Sequence, residues 1–299
     1  RNAGAEASRL AEVLGRADLA GVTVVATVPA QHMYGFESSV LIALHGGAIL
    51  DAERPFFPAD IAAALARAAT PRVLVTTPFH LKTVLDAGVA LPALALVVSA
   101  TAPLSPQLAA RAEQHLGAPL LEIYGCTEAG QVASRRTTAG AEWRTLADVR
   151  LDGDGGAVTV SGGHVPQPTV LADVLEVVDA ETFRLLGRSN DLINVAGKRS
   201  SIGHLDFHLN SIEGVVDGAF WMPPDSDADA PGIVRLVAFV VAPGVARERI
   251  VATLRDRVDA AFLPRRVVHV DALPREATGK LTRAKLGELA ARHLSREPR

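Results

Sequence analysis

Glu122-Ile-Tyr-Gly-Cys-Thr-Glu-Ala-Gly130 is the stretch that decides the fold of this chain. The apolar run over residues 119–123 predicts a strand, which leads directly into a turn rich in chemically useful side chains. In an open α/β sheet, ligands bind beyond the carboxyl ends of the strands, where such a turn projects. Tyr124 offers a flat ring and Gly125 allows close approach of the backbone. Thr127 offers a hydroxyl, and Glu128 offers an oxygen ligand for Mg2+. Taken alone, the segment is equally compatible with a structural turn that carries an acid.

Strand and helix patterns alternate upstream of this stretch. Apolar spacing predicts helices over residues 3–17, 37–44, 60–69, 78–87 and 105–116. Short apolar runs predict strands over residues 22–28, 48–50, 73–76 and 94–99. This alternation is typical of an α/β fold, here a partial doubly wound parallel sheet with helices on its faces.

Downstream, the pattern changes twice. Short strands broken by glycines follow Gln131, and they predict an antiparallel or barrel-like β-rich subdomain. After Gly187 the pattern predicts a compact α+β carboxyl-terminal domain, with a helix over 202–212 and strands over 234–241 and 267–270. We therefore expect three regions: the α/β part at 1–130, the β-rich subdomain at 131–189, and an α+β lid domain at 190–299.

The composition narrows the function classes. The 299 residues are 48% apolar and 21% charged with a net charge of -3, which favours a soluble globular protein and argues against nucleic acid as a partner. No apolar run approaches the ~18 residues that cross a bilayer, so no membrane partner is expected. The single cysteine, Cys126, excludes an internal disulfide and suits a cytoplasmic location. Because no histidine is near it in sequence, a nucleophilic role for Cys126 is disfavoured.

A second stretch, Pro274-Arg-Glu-Ala-Thr-Gly-Lys-Leu-Thr-Arg283, adds to the first. Together the two resemble the adenylate-forming superfamily of acyl- and aryl-CoA synthetases, amino-acid-activating domains and luciferases. The first stretch matches its Tyr-Gly-x-Thr-Glu signature and the second its terminal Pro-x-x-x-x-Gly-Lys signature. A phosphate-loop interpretation of Gly279-Lys280 fails, because Pro274 and Leu281 stand where that motif needs a glycine and a hydroxyl.

The resemblance implies a nucleotide site. A small-residue loop would hold adenine, Asp173 would bind the ribose hydroxyls, and Arg188 would bind ribose or phosphate oxygens. The implied nucleotide-binding residues are Ala100, Thr101, Ala102, Pro103, Glu122, Tyr124, Gly125, Asp173 and Arg188. Ala100 and Thr101 replace two glycines that are usual in this family. An ordinary loop aspartate is the alternative at Asp173.

The resemblance also implies catalytic and hinge residues. Lys280, Thr127 and Glu128 would be catalytic, with Glu128 holding Mg2+, and Asn190 would be the pivot of a domain rotation. Asparagine stands where aspartate or lysine is commoner, but it tolerates unusual backbone angles. The alternative for Lys280 is an ordinary surface lysine.

Two further sites follow from the resemblance. His32 and Tyr34 would border the carboxylate of the acid, although a packed, hydrogen-bonded histidine remains an alternative. Gly197, Lys198 and Arg199 would line a tunnel for the thiol, although a hairpin glycine between surface cations remains open. Glu37 and the pair Arg135–Arg136 have no place in the resemblance.

The expected function is that of an ATP-dependent acid–thiol ligase that uses ATP and Mg2+, with CoA or phosphopantetheine as acceptor. Its partners would be a small aromatic or fatty carboxylic acid and an acyl carrier protein, as in the ligases near aryl-polyene clusters. The family's phosphate-gripping loop is absent from residues 1–29, so we expect a fragment or a natural truncation. A non-catalytic nucleotide- or acyl-binding module and an amino-acid-activating domain are the alternatives.

Overall fold

The computed structural model describes residues 2–153, 157–188, 192–223, 236–275 and 281–294. The chain divides into two units, Arg1–Leu185 and Leu186–Arg299. In the described part, no helix is long and apolar enough to span a membrane.

A nine-stranded sheet organises the first unit, with five neighbouring parallel strands on one side and four further strands on the other. Five neighbouring strands pair in parallel: β1 (Thr23–Ala26), β2 (Ile49–Leu50), β3 (Arg72–Thr76), β4 (Leu96–Ser99) and β5 (Leu120–Cys126). The other four are β6 (Gly130–Arg135), β7 (Glu142–Thr145), β11 (Asp173–Val177) and β12 (Thr182–Arg188). β6 pairs antiparallel with β5 and with β7, and β7 pairs antiparallel with β12.

Helices cover both faces of the parallel strands. They are α1 (Asn2–Val13), α2 (Met33–Gly35), α3 (Ile42–Gly46), α4 (Pro58–Arg67), α5 (Pro78–Ala87) and α6 (Pro106–Leu116). Alternate strand residues face opposite sides: Val73 and Val75 pack in the core under α1, whereas Leu74 packs with α4, α5 and α6. Burial on both faces explains why these strands are continuous apolar runs, and it confirms the doubly wound α/β prediction.

Local sequence sets the ends of the helices. Thr77 and Ser105 cap α5 and α6, each accepting a hydrogen bond from a backbone amide, and a proline follows each cap. The same helices end at Gly88 and Gly117 in the left-handed conformation, which costs glycine little. These signals explain why the predicted and observed helices agree closely there.

Two features differ from the sequence-based expectation. The helix predicted over 37–44 contains a π-helical turn at Phe36–Leu41 before α3 begins. In the region predicted as a β-rich subdomain, only β8 (Val149–Asp152), β9 (Thr159–Gly162) and β10 (Val165–Val170) form a separate antiparallel sheet. The remaining strands pair with β5 and with one another and so extend the large sheet, while apolar side chains of both sheets share one core around Tyr124.

The second unit is an α+β arrangement. A hairpin of β13 (Leu192–Val195) and β14 (Lys198–Ser201) precedes α7 (Ile202–Asn210). A three-stranded sheet follows, with β15 (Asp217–Trp221) antiparallel and β17 (Arg266–His269) parallel to the central β16 (Val237–Val241). The other helices are α8 (Arg247–Arg255), a short 3-10 turn at Ala260–Phe262, and α9 (Arg283–Leu294).

Candidate active site

Strands β3 and β4 end in register beside β5, which continues four residues further, to Cys126. Thr76 at the end of β3 lies opposite Ser99 at the end of β4, and Ser99 lies opposite Glu122 in β5. The small-residue loop follows β4, and the signature turn follows β5. The predicted adenine loop and the signature are therefore neighbours at the carboxyl edge of the sheet, the expected position of a ligand site in such folds.

The loop after β4 has a strained backbone. Thr101 has φ +80°, a region that a β-branched residue rarely adopts and that costs of order 1–3 kcal/mol. Ala100 is buried, whereas residues 101–103 are exposed. This strained, exposed loop presents backbone groups to solvent at the edge of the sheet, and strain of this kind is frequent at ligand sites.

Glu122 connects the loop to the signature strand. Its carboxylate is 3% exposed and accepts hydrogen bonds from the Leu104 amide at 3.2 Å, from Arg135 Nε at 2.7 Å and from the Thr137 hydroxyl at 2.8 Å. Burial raises the pKa of Glu122, and the Arg135 charge and these hydrogen bonds oppose that effect. Because protein donors already bind both oxygens, the observed role of Glu122 is to hold the loop, and a direct nucleotide contact stays a prediction.

Tyr124 and Asp173, both predicted to bind nucleotide, are joined directly. The Tyr124 hydroxyl donates to Asp173 Oδ2 at 2.7 Å. The Tyr124 ring is 7% exposed, and its centroid lies 5.7 Å from that of Trp143 and 5.5 Å from that of Phe183. The sequence predicted an available flat face, whereas the structure packs this ring in an aromatic cluster that positions Asp173.

At the signature turn, the backbones of β5 and β6 approach closely, as the glycine at position 125 predicts. A Cβ on Gly125 would lie 2.6 Å from the Gly130 carbonyl oxygen, so only glycine permits this approach of β5 and β6. Thr127 and Glu128 are both exposed at the turn.

Cys126 is half-buried, and burial, together with Glu128, raises the pKa of its thiol to about 11. The thiol is therefore protonated at neutral pH, in agreement with the disfavoured nucleophilic role.

Within the described ranges, no group of three or more His, Cys, Asp and Glu side chains could hold a metal ion. A single exposed carboxylate such as Glu128 nevertheless suits Mg2+, which is commonly held by one or two carboxylates together with substrate phosphates and water. The side chains present thus fit a metal ion that arrives with a nucleotide.

The two predicted acid-pocket residues differ in exposure. His32 is exposed at the residue before α2. Tyr34 is 5% exposed, and its hydroxyl lies 3.1 Å from the carbonyl oxygens of Thr76 and Val98. Tyr34 therefore ties α2 to the ends of β3 and β4, and its contact with an acid remains a prediction.

A buried polar network near this stretch was missed by sequence reasoning. Ser38 donates to Glu6 Oε1 at 2.7 Å, and the Gln131 amide donates to Ser38 at 2.8 Å. Glu6 is fully buried, and burial, with a contribution from the charge of Glu37, raises its pKa to about 8. The nearest sequence signal was the position of Gln131, one residue after the signature stretch.

The remaining predicted residues belong to the second unit or to its start. Gly197 has φ +79° in the β13–β14 turn, and no described atom lies within 4 Å of a Cβ built on it. The Lys198 amine is exposed and forms an ion pair with Asp259. The side chains of Arg188 and Arg199, and all of Asn190 and Lys280, lie outside the described residues.

Comparisons with known proteins identify the family of both parts of the chain. The family model described as AMP-binding enzyme matches residues 2–189, and the model described as AMP-binding enzyme C-terminal domain matches residues 226–280. The 4-coumarate–CoA ligase of Rhodobacter capsulatus is 31% identical over 284 residues, which cover 92% of this chain and 68% of that ligase. The 4-coumarate–CoA ligase of Halorhodospira halophila is 29% identical over 299 residues, with the same two coverages.

The fold is also found among solved structures. Apo MatB from Rhodopseudomonas palustris superposes with a TM-score of 0.77 at 21% identity, covering 97% of this chain and 64% of that one. This chain therefore spans about 64% of the length of that solved relative.

Proposed function

This chain belongs to the AMP-binding enzyme family, and from that membership we propose that it is part of an ATP-dependent acid–thiol ligase. In the proposed reaction, the carboxylate of an acid attacks the α-phosphate of ATP to form an acyl-adenylate and release pyrophosphate. A thiol then attacks the acyl carbon and displaces AMP. The observation that supports the proposal is that the strained loop follows the strand next to β5, and that Tyr124 of β5 donates to Asp173 in the same unit.

The nucleotide half of the site is built from the first unit. The exposed residues 101–103 supply small side chains and a backbone edge against which a base can lie. Asp173 binds the ribose hydroxyls, because a carboxylate can accept several hydrogen bonds and can keep the one from Tyr124. Tyr124 then orients Asp173 instead of stacking on the base.

Charge stabilisation comes from the signature turn and from the second unit. Glu128 would hold Mg2+, which would supply positive charge to the phosphate oxygens. Thr127 contributes its hydroxyl at the same turn. Lys280, delivered by rotation about Asn190, adds a cation next to the reacting carboxylate and α-phosphate, and Arg188 contacts the ribose or phosphate.

The acid and the thiol are the least specific part of the proposal. The similarity to two 4-coumarate–CoA ligases supports an aromatic acid, bordered by His32 and Tyr34. The acceptor is CoA or the phosphopantetheine of a carrier protein. The turn at Gly197 supports this role because the described residues leave room beside its Cα, and we propose that Lys198 and Arg199 bind phosphate groups of the acceptor.

AMP binding by this chain tests the nucleotide assignment. We expect isothermal titration calorimetry to detect AMP, and Asp173→Ala to weaken binding by roughly tenfold, as for the loss of a hydrogen bond to a charged group. The matched control is Asp152→Ala, which removes an exposed carboxylate at the end of β8 and should leave AMP binding unchanged. Folded wild-type protein that does not bind AMP would contradict the proposed function.

A further inference from the structure

Arg135 is a buried cation with a defined partner. It is the last residue of β6 and lies opposite Glu122 in the antiparallel pairing with β5. Its Nε and Nη2 atoms both lie 2.7 Å from Glu122 Oε2, and the two side chains are 8% and 5% exposed. Removal of one partner from such a pair leaves an uncompensated buried charge, which is strongly unfavourable.

The same guanidinium reaches the aromatic cluster. Its central carbon lies 4.4 Å from the ring centroid of Trp143, a cation–π arrangement. Trp143 in turn contacts the Tyr124 ring, whose hydroxyl holds Asp173. The Trp143 ring therefore holds the guanidinium from one side, while the Glu122 carboxylate binds it from the other.

The loop that Glu122 holds needs such support. The left-handed conformation at Thr101 is unfavourable, and it persists only where surrounding contacts determine it. The Leu104 amide, three residues later, donates to Glu122, and this is a contact of that kind. Because Arg135 binds the other oxygen of Glu122, it favours the ionised carboxylate, which is the better acceptor for the amide.

We propose that Arg135 is a positioning residue for the base-binding loop, a role that rests on the proposed function. Arg135 acts through Glu122 on residues 100–104 and does not contact the nucleotide itself. Its planar fork binds the carboxylate and its face covers Trp143 at the same time, which a lysine cannot do equally well. Loss of Arg135 should therefore weaken recognition of the base more than recognition of the ribose and phosphate.

The neighbouring arginine supplies a matched control. Arg136 is also paired with a glutamate, Glu113, but the Arg136 side chain is 54% exposed, and Glu113 accepts a hydrogen bond from the Leu120 amide at the start of β5, away from the loop. Arg135→Met and Arg136→Met remove the same charge from adjacent positions. Only the first removes the support of the loop.

The test measures the affinity for two ligands, one with a base and one without. AMP and ribose 5-phosphate are titrated by calorimetry into the wild-type chain, Arg135→Met, Arg135→Lys and Arg136→Met. We expect Arg135→Met to weaken AMP binding by about tenfold, which corresponds to about 1.4 kcal/mol. Ribose 5-phosphate should change by less than about twofold, Arg135→Lys should lie between, and Arg136→Met should match wild type.

A second variant covers the case in which Arg135→Met does not fold. Glu122→Gln combined with Arg135→Met removes both charges, so no uncompensated charge stays buried. This double variant should fold and should still show the selective loss of AMP affinity.

The outcomes separate the two claims. Equal weakening of both ligands by Arg135→Met, or unchanged AMP affinity in the folded double variant, would overturn the positioning role. A wild-type chain that binds neither ligand would instead overturn the proposed function.

Discussion

Replacement of the buried Glu6 by glutamine should change how stability depends on pH. Glu6 is fully buried in α1, and its pKa is raised from 4.5 to about 8, mainly by burial. In the unfolded chain the carboxyl ionises near its ordinary pKa, whereas in the folded chain it stays protonated until about pH 8. Between these two values the unfolded state therefore loses the proton and is favoured as pH rises.

The magnitude follows from the two pKa values. A difference between 4.5 and about 8 corresponds to about 5 kcal/mol of stability, fully present at about pH 4 and lost as pH rises through about 8. Glutamine keeps an oxygen that can accept from Ser38. The charge repulsion with Glu37 also disappears. Glu6→Gln should therefore match wild type at about pH 4 and exceed it by several kcal/mol at about pH 8.5.

Urea unfolding at a series of pH values, followed by circular dichroism, measures this difference. The control is Glu12→Gln on the same helix, where the exposed carboxylate pairs with Arg9 and the substitution should cost less than about 1 kcal/mol at neutral pH. If the wild-type and Glu6→Gln curves run parallel from about pH 4 to about pH 8.5, the assignment of a neutral buried Glu6 is wrong.

Three further outcomes are expected. In a full-length form, Lys280→Ala should slow adenylation by roughly 10²–10³ and spare thiolysis of supplied acyl-adenylate. Gly197→Leu should instead slow thiolysis and spare adenylation. Equal effects of each variant on both half-reactions would contradict the assignment of Lys280 to adenylation and of Gly197 to thiol transfer. Cys126, with a thiol pKa raised to about 11, should react with iodoacetamide at ~pH 8 about a hundredfold more slowly than an unperturbed thiol, and fast alkylation would refute its protonated state. Gly35→Ala should destabilise the first unit by about 1–3 kcal/mol in thermal unfolding, because the added Cβ would lie 2.2 Å from a backbone carbonyl oxygen. Gly203→Ala, also in a helix but without a described atom within 4 Å of its Cβ, is the neutral control.

The family predicted from two short signatures is confirmed, and so is the α/β class predicted from the alternation of strands and helices. Both predictions rest on local patterns. A parallel strand buried on both faces must be an apolar run, and a helix on its face must show apolar residues at helical spacing. The loop after β4 and the turn after β5 were placed at one sheet edge for the same reason, since parallel strands end together.

The roles of Glu122 and Tyr124 were only partly predictable. Their positions in β5 followed from the signature, but their partners did not. Arg135 and Asp173 come from other strands, and no periodicity in the sequence indicates that they meet Glu122 and Tyr124. Tyr124 was expected to face the ligand, but it holds Asp173, the residue that we propose binds the ligand.

By itself, the sequence determined the local structure: the helix caps at Thr77 and Ser105, the glycine turn at Gly125, and the order of strands and helices. These features depend on the backbone preferences and hydrogen bonds of residues a few positions apart. Only the tertiary structure decided which polar groups are buried together. Ser38 meets Gln131 across 93 positions, and the burial of Glu6 beside them raises the pKa of Glu6, although the hydrogen bonds from Ser38 and Gln131 oppose that rise. Solvent exclusion depends on packing from every side, so it becomes defined only when the whole first unit has folded.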